Sequence, residues 1–293
     1  MLEDGPVLWR PPSEAESLLL PVTWGCSWNR CTFCAMYRDR DYRVRSRDEI
    51  LADLDRAADA LGDTVTRVFL LDGDALAAPA DLLLDVLAAL RERFPRLRRV
   101  SAYASPRAIL GKSPDDLRAL REAGLWLLYL GVESGHDGIL RRFRKGATAA
   151  DMITCGERCR DAGIDLSVMI LLGMGGRELS REHARESARV VAAIAPRYTS
   201  TLALVPVPGT PLAGEIERGE FSVPGPVELA AELREFLAHL GDTRTIFRAN
   251  HASNWLPLAG TLPRDRDRLL ALLDAALADP AHAPFRPPWL RGL

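Results

Sequence analysis

Three cysteines follow a short apolar run in the stretch Leu18-Leu-Leu-Pro-Val-Thr-Trp-Gly-Cys26-Ser-Trp-Asn-Arg-Cys31-Thr-Phe-Cys34. Thiolates spaced this closely suit a single iron–sulfur cluster. A four-iron cluster normally takes four cysteine ligands, so a chain that supplies three leaves one iron open to bind another molecule. The stretch therefore predicts a [4Fe–4S] cluster, held by Cys26, Cys31 and Cys34, in which one iron is a reaction site.

Other uses of the three cysteines stay open at this point. A zinc site needs four ligands, usually as close pairs, but no second pair lies nearby and the nearest histidine is His136. A disulfide framework is typical of small secreted chains with an even number of cysteines, whereas this chain has 293 residues and five cysteines. Plain burial of the thiols is less consistent with their clustering beside Gly25 and Phe33.

The composition is that of an ordinary globular protein without a strong charge bias. Hydrophobic residues make up 47% and charged residues 27% of the chain, and the formal net charge is −2. Such a charge gives no general attraction to nucleic acid or anionic membranes, and no apolar run approaches the roughly 18–20 residues that cross a bilayer. We expect a cytoplasmic protein, because clustered thiols fit a reducing compartment, with no membrane partner and with nucleic acid disfavoured.

Short apolar runs alternate with amphipathic helical patterns along most of the chain. The predicted strands are Leu18–Val22, Arg67–Leu71, Arg99–Tyr103, Trp126–Gly131, Leu166–Leu172 and Ser200–Val205. The predicted helices between them are Asp48–Leu61, Asp81–Phe94, Pro114–Ala123, Asp137–Phe143, Ala149–Ala162 and Arg181–Ile194. This alternation predicts an α/β fold with a parallel sheet and helices outside it. Six units are fewer than the eight of a closed barrel, and an open doubly wound sheet is the alternative from periodicity alone.

The pattern changes after about Pro211. Residues 214–226 are rich in glycine, proline and charge and therefore predict a connection. The two helices predicted beyond it are Val227–Leu240 and Arg264–Leu277. A polar segment, residues 248–254, lies between these helices and is flanked by apolar residues.

The cysteine loop resembles that of the radical S-adenosylmethionine (SAM) superfamily. That family uses Cys-x3-Cys-x2-Cys with an aromatic residue before the last cysteine; here the spacing is Cys-x4-Cys-x2-Cys, which stand-alone members also carry, and the aromatic residue is Phe33. The resemblance implies a partial (β/α)6 TIM-like barrel, with its ligand site at the carboxyl ends of the strands. It implies an N-terminal tail at 1–14, a radical SAM core at 15–211 and a short, mainly helical C-terminal extension at 212–293.

The resemblance also implies the cofactors and the chemistry. A [4Fe–4S] cluster and SAM would be bound, and an electron from the cluster would cleave SAM to methionine and a 5′-deoxyadenosyl radical that abstracts hydrogen from a small organic substrate. An external one-electron donor such as flavodoxin or ferredoxin would reduce the cluster. No cysteine follows Cys159 and 25 residues precede Cys26, so we expect a single-cluster type, without auxiliary clusters or an N-terminal cobalamin-binding domain.

Two segments at strand ends are similar to the family's SAM contacts. Asp72-Gly73-Asp74 stands where the family often has Gly-Gly-Glu, which binds the SAM amino group. A simple turn is the alternative for such a sequence. Leu171-Leu-Gly173-Met-Gly-Gly176 is similar to the family's glycine segment, which implies that Gly173 and Gly176 let the backbone approach adenine. Val205, at the sixth strand end, would then pack on the adenine face.

The segment Gly131-Val-Glu133-Ser134 is similar to the family's Gly-x-Glu-Ser and implies contacts of Glu133 and Ser134 to the ribose or amino-acid part of SAM. An acid at the end of an apolar strand is costly to bury alone. Glu133 therefore either faces a ligand or pairs with a cation such as Arg141 or Lys145. Lys145 is also a candidate for the SAM carboxylate, with a solvated surface position as its alternative.

The substrate residues are defined least sharply. Tyr103 ends the third predicted strand and is a candidate for the barrel mouth, with a half-buried structural role as the alternative. His251 and Asn254 belong to the polar segment in the C-terminal part and could line a substrate cavity or cap the last helices. Three functions stay open: a radical SAM enzyme for a small molecule, a tRNA- or nucleoside-modifying radical SAM enzyme, and a non-enzymatic iron–sulfur or zinc protein.

Overall fold

Eight strands form one sheet in the computed structural model, which describes residues 9–291. Together with a separate two-stranded pair, the strands of these residues are β1 (Leu18–Pro21), β2 (Thr23–Trp24), β3 (Arg43–Val44), β4 (Arg67–Leu71), β5 (Arg99–Ala104), β6 (Leu125–Glu133), β7 (Asp165–Leu172), β8 (Tyr198–Ala203), β9 (Thr245–Ala249) and β10 (Leu258–Leu262). The sheet order is β1-β4-β5-β6-β7-β8-β9-β10, and β2 pairs separately with β3. Residues 1–8 of the expected N-terminal tail and 292–293 of the expected extension lie outside the described residues.

All the predicted helices are present, but a short helix, Pro211–Glu217, overlaps the start of the segment predicted as a connection. The helices are α1 (Arg47–Leu61), α2 (Ala80–Arg93), α3 (Pro106–Gly111), α4 (Pro114–Glu122), α5 (Asp137–Arg142), α6 (Ala149–Asp161), α7 (Ser180–Ile194), α8 (Pro211–Glu217), α9 (Pro226–His239) and α10 (Arg266–Ala278). Ser113 accepts the N–H of Asp116 at 3.0 Å, and the Asp116 carboxylate accepts the N–H of Ser113 at the same distance, so a capping box starts α4. In residues 9–291 no helix is both long and apolar enough to cross a membrane.

All six predicted strands are confirmed, with ends shifted by at most two residues. In β4, Val68 to Leu71 are each no more than 1% exposed. A strand covered on both faces reads as a continuous apolar run, which is why β4 is recognisable from the sequence.

One compact unit contains residues 9–29, 36–129 and 158–165 of the described chain. In it β1 pairs in parallel with β4, and β4 in parallel with β5. The pairing continues past β1, because the N–H of Val22 donates to the Leu71 carbonyl at 2.7 Å. The carboxyl ends of β1 and β4 therefore lie side by side, which sets the start of the cysteine loop against the residues that follow Leu71.

The other compact unit contains residues 30–35, 130–157 and 166–291. In it β7, β8 and β9 are parallel neighbours, and β10 runs antiparallel to β9. Helix α9 packs against both α7 and α10. The extension is mainly helical, as expected, and it also contains β9 and β10, two strands that the sequence did not predict. Each has only five residues, too few to distinguish a strand from an apolar loop by alternation.

Candidate functional site

The three clustered cysteines lie in an irregular loop between β2 and β3, and all three are partly exposed. Cys155 and Cys159, in contrast, are completely buried on α6. Buried cysteines in a helix interface pack as small hydrophobic side chains. Accessibility therefore separates a set of three possible ligands from two residues of the core.

The first part of the loop is fixed by the turn that follows β4. The N–H of Gly25 donates to Oδ2 of Asp72 at 2.8 Å. A Cβ at Gly73 would stand 2.8 Å from the Cβ of Cys26, from the Gly25 carbonyl oxygen and from the Tyr37 ring. Any side chain at position 73 would push the loop away, so the predicted Asp72-Gly73-Asp74 segment lies directly against Cys26.

Asp72 is a buried carboxylate with spare hydrogen-bonding capacity. Its side chain is completely buried, and its Oδ1 makes no hydrogen bond of good geometry among residues 9–291, where the Tyr37 phenol is the donor beside the carboxylate. The nearest cation is Arg40, whose Nη1 is 3.7 Å from Oδ2. Burial raises the pKa of Asp72, and burial together with Asp72 raises the pKa of the Tyr37 phenol. Buried acceptors are normally paired, so this site suits a ligand that carries a hydrogen-bond donor.

Asp74, in contrast, is satisfied by the protein itself. Its Oδ1 accepts the N–H of Ser105 at 2.8 Å, and its other oxygen accepts the hydroxyl of Ser27. Burial is the largest influence on its pKa, which is raised. Asp74 therefore connects the cysteine loop to the residue that caps α3.

Glu133 and Lys145 form an ion pair at the end of β6, with 3.1 Å between Oε1 and Nζ. Their side chains are 14% and 12% exposed. A Cβ at Gly131 would lie 2.1 Å from Oε1 of Glu133 and 3.1 Å from Nζ of Lys145. Gly131 therefore gives the pair its space, and a glycine inside a strand is the sequence signal for such a close approach.

The residues after β6 are held against α7. The N–H of Gly135 donates to Oγ of Ser187 at 2.9 Å, and a Cβ on Gly135 would stand 2.2 Å from the carbonyl oxygen of Glu186. Ser134 is completely buried, and its Oγ accepts the N–H of His136 at 3.0 Å. The predicted Ser134 thus stabilises the turn that starts α5.

A glycine turn follows β7. Gly173 and Gly176 have φ of 91° and 58°, and the N–H of Gly176 donates to the Gly173 carbonyl at 3.0 Å. L-residues with a side chain rarely adopt such φ values, whereas glycine does so readily. Val205, two residues beyond β8, is partly exposed.

The last part of the cysteine loop contacts an apolar cluster that includes this turn. The buried members of the cluster are Ile139, Phe143, Met174, Leu204, Leu212 and Phe221, and Phe33 packs against them. The Phe33 and Phe143 rings meet edge to face with centroids 6.0 Å apart. The N–H of Thr32 also donates to the Phe143 carbonyl at 3.1 Å. Phe33 therefore anchors the Cys31–Cys34 segment near the glycine turn.

The three predicted substrate residues have largely internal contacts. Tyr103 stacks edge to face on Phe69 at 4.9 Å, and burial raises the pKa of its phenol. The buried Asn254 donates its amide to the Thr201 carbonyl at 2.7 Å. The His251 ring is hydrogen-bonded to Ser253, and burial lowers its pKa.

The fit of an iron–sulfur cluster depends on donor chemistry. In residues 9–291 no three His, Cys, Asp or Glu side chains are arranged as a metal site. Three accessible cysteines within nine residues are nevertheless the ligands that such clusters take. Gly73 leaves the space beside Cys26 free of a side chain. The donor set fits a cluster with three protein ligands.

Comparison with known proteins identifies a family. The model of the Radical SAM superfamily matches residues 20–190, more than half of the chain. The heme chaperone HemW of Bacillus subtilis (strain 168) is 27% identical over 165 residues, which cover 54% of this chain and 42% of that protein.

Solved structures share the fold at low identity. Coproporphyrinogen III oxidase HemN from Escherichia coli, a radical SAM enzyme, has a TM-score of 0.58 at 18% identity and covers 78% of this chain and 52% of its own. The radical SAM methyltransferase TsrM from Kitasatospora setae, with tryptophan substrate and the SAM analogue aza-SAM bound, has a TM-score of 0.58 at 18% identity and covers 94% and 57%. The chain spans about half the length of these proteins, and the likeness to the two structures establishes the α/β fold.

Proposed function

The chain belongs to the radical SAM superfamily, and we propose that it is an enzyme in which Cys26, Cys31 and Cys34 hold a [4Fe–4S] cluster. When bound, the cluster and SAM supply an electron and a 5′-deoxyadenosyl radical that abstracts hydrogen from a small organic substrate. The protein supplies ligands, orientation and the exclusion of water. An external one-electron donor such as flavodoxin or ferredoxin reduces the cluster, and the reducing cytoplasm is the compartment that suits it.

The contact between the cysteine loop and the turn after β4 carries this proposal. Asp72 holds the N–H of Gly25, and Gly73 leaves room for Cys26. Oδ1 of Asp72 is a buried acceptor in the same turn, beside the Tyr37 phenol, and the ammonium group of SAM is a donor that would bind it. We assign Asp72 and Gly73 to the amino-acid end of SAM, with Asp74 holding the loop through Ser27.

Glu133 and Lys145 are assigned to the polar groups of SAM. A carboxylate accepts hydrogen bonds from ribose hydroxyls, and an ammonium group binds a carboxylate. Their mutual ion pair at 3.1 Å keeps both charges compensated before SAM binds. Ser134 supports Glu133 by fixing the turn beyond it.

The apolar part of the site is assigned to adenine. Gly173 and Gly176 carry no side chains in this turn, so an adenine ring can approach their backbone closely. Val205 supplies an apolar contact to the adenine face. Phe33 acts indirectly, since it packs on the cluster that contains Met174 of this turn. Tyr103, His251 and Asn254 stay the candidates for substrate contacts.

Anaerobic reconstitution tests the proposal. We expect about four irons per chain, as a [4Fe–4S] cluster requires, and 5′-deoxyadenosine after addition of dithionite and SAM. Cys31→Ser should abolish both, because it removes one of three ligands. The matched control is Cys159→Ala on α6, which changes a cysteine of the core and should retain both. Stoichiometric zinc, or iron without nucleoside formation, would contradict the proposed enzyme.

Heme binding is a second candidate, favoured by the 27% identity to the heme chaperone HemW over 165 residues. Addition of hemin to the anaerobic protein distinguishes the two. A saturable shift of the heme absorption band, with no 5′-deoxyadenosine formed, would favour a heme carrier. Nucleoside formation without a heme complex would favour the enzyme.

A further inference from the structure

Glu232 is a buried carboxylate in the C-terminal extension, far in sequence from the cysteine loop. It lies on α9 and is 2% exposed. Carboxylates are rarely buried this completely without partners, because removal from water disfavours the charged form. Glu232 forms no ion pair with an arginine or lysine among the salt bridges of residues 9–291, so its partners must be sought elsewhere.

Those partners lie at the two ends of one segment. Oε1 of Glu232 accepts the N–H of Gly173 at 2.8 Å, and Oε2 accepts the hydroxyl of Ser180 at 2.6 Å. Gly173 opens the glycine turn and Ser180 is the first residue of α7. One carboxylate thus joins both ends of residues 173–180, at a helix N-terminus that favours negative charge.

Leu229 and His183 pack closely around the contact between Glu232 and the glycine turn. A Cβ at Gly173 would stand 3.2 Å from Cδ2 of Leu229, one turn before Glu232 on α9. His183, completely buried on α7, has its Nδ1 3.4 Å from Oε1 of Glu232. The backbone of Glu133 is a second polar group beside this ring. Glu232 therefore lies against both the glycine turn and His183.

We propose that Glu232 is a positioning residue that holds the glycine turn 173–176 in the shape that binds the adenine of SAM. This inference rests on the proposed function, which assigns adenine to that turn. It extends the cofactor site to α9, so that the C-terminal extension determines the affinity for SAM without contacting SAM itself. Ser180 is the second contact through which Glu232 acts.

The test measures SAM binding to the reconstituted protein by equilibrium dialysis under anaerobic conditions. Glu232→Ala leaves the N–H of Gly173 and the hydroxyl of Ser180 without their acceptor, and we expect the Kd for SAM to rise about tenfold, the effect of losing one buried hydrogen bond. Glu232→Gln keeps an oxygen that can accept the N–H of Gly173, so this variant should raise the Kd for SAM by about threefold or less. The iron content should be unchanged in both.

Glu235→Ala is the matched control. Glu235 lies on the same helix and also joins it to α7, through Arg185 at 2.5 Å, but it does not contact the turn. This variant should bind SAM like the wild type. If it weakens binding as much as Glu232→Ala, the effect is one of helix packing, and the inference is overturned.

Hydrogen exchange gives a second measurement that needs no SAM. Glu232→Ala should accelerate exchange of the Gly173 amide by about tenfold, as expected for one lost hydrogen bond, and Glu235→Ala should not. If Glu232→Ala does not fold, Ser180→Ala takes its place, with faster exchange in residues 173–180 and a Kd raised about threefold. If the folded variants exchange the Gly173 amide and bind SAM like the wild type, the inference about Glu232 is overturned and the proposed function is not. If the wild-type protein binds no SAM, both the proposed function and this inference are overturned.

Discussion

Gly73 illustrates how much a single residue decides in this site. The space that its missing side chain leaves is taken by Cys26, Tyr37 and the Gly25 carbonyl, each 2.8 Å from where a Cβ would stand. Gly131 has the same role for Glu133 and Lys145. At both positions a glycine lets polar or ligand groups approach the backbone at a strand end.

Asp72 gives the first prediction at this scale. Asp72→Ala leaves the N–H of Gly25 without its acceptor, so we expect the free energy of unfolding to fall by about 1–3 kcal/mol and reconstituted iron to decrease. Asp72→Asn keeps an oxygen that can accept this N–H and should lose less. Urea unfolding and iron analysis measure the two effects. The control is Asp59→Ala, at an exposed position of α1, and equal stabilities of Asp72→Ala and this control would show that the Gly25 contact contributes nothing.

The pair of Glu232 and His183 gives a prediction of pH dependence. Burial raises the pKa of Glu232 from 4.5 to about 7. Between these two pH values the folded protein keeps a proton that the unfolded chain has released. The contribution of Glu232 to stability therefore falls as the pH rises from 4.5 to about 7. Burial lowers the pKa of His183 from 6.5 to about 4, so its contribution to stability rises as the pH increases through that window. The two contributions oppose each other.

Glu232→Gln removes only the first of these contributions. Its free energy of unfolding should therefore increase relative to the wild type by about 3 kcal/mol between pH 4.5 and 7, at about 1.4 kcal/mol for each pKa unit. Urea unfolding of both proteins at several pH values measures this difference. Curves that stay parallel over the whole range would contradict it.

At the scale of elements, the polar groups of the site follow the ends of strands. The turn after β4 carries Asp72 and Asp74, the end of β6 carries Glu133, and the turn after β7 begins with Gly173. Ligand sites of parallel α/β folds lie at the carboxyl ends of strands, which is why these residues are proposed to bind SAM. Each of these residues ends or follows a strand that is stabilised by burial of its own apolar side chains.

The short turn before β1 depends on one buried carboxylate. Glu14 is completely buried and accepts hydrogen bonds from Arg99 at 2.9 Å, Ser101 at 2.9 Å and Tyr129 at 2.7 Å. It thereby ties the segment before β1 to β5 and β6. Glu14 is the last residue of the predicted N-terminal tail.

Glu14→Ala should therefore be strongly destabilising. It leaves the Arg99 cation without its carboxylate, and we expect the free energy of unfolding to fall by about 3–5 kcal/mol, as when one partner of a buried pair is removed. Thermal and urea unfolding measure the change. Glu16→Ala, which removes an exposed carboxylate two residues away, should stay near the wild type. Similar stabilities of the two variants would exclude a role for Glu14 as an anchor.

At the scale of the whole molecule, the extension is continuous with the sheet. β9 pairs in parallel with β8, β10 pairs with β9 as the last strand of the sheet, and α9 packs on α7. Residues 166–291 accordingly belong to one compact unit. The predicted boundary between core and extension, at residue 211, lies within this unit.

A chain that ends at residue 211 should not fold like the full chain. This chain lacks β9, it lacks Glu232, which accepts the Gly173 N–H, and it lacks α9, which packs on α7. We therefore expect loss of the cooperative unfolding transition and exposure of apolar surface. Circular dichroism during thermal unfolding and binding of a hydrophobic dye measure both. A cooperative transition at the wild-type midpoint would show that 15–211 is an independent domain.

The sequence alone determined the features that depend on local patterns. Six strands and the cysteine loop were predictable, because apolar periodicity and ligand spacing are each contained within a few consecutive residues. The glycines at strand ends were recognisable for the same reason, and the family match agrees with the loop.

Only the tertiary structure decided how distant residues meet. Glu232 and Gly173 are 59 positions apart, and Glu14 and Ser101 are 87 apart. Nothing in the local sequence around Glu232 or Glu14 distinguishes a buried carboxylate from a solvated one, since α9 reads as an ordinary amphipathic helix. The free energy that keeps these charges inside comes from donors brought together by the packing of several elements, and that packing is a property of the whole fold.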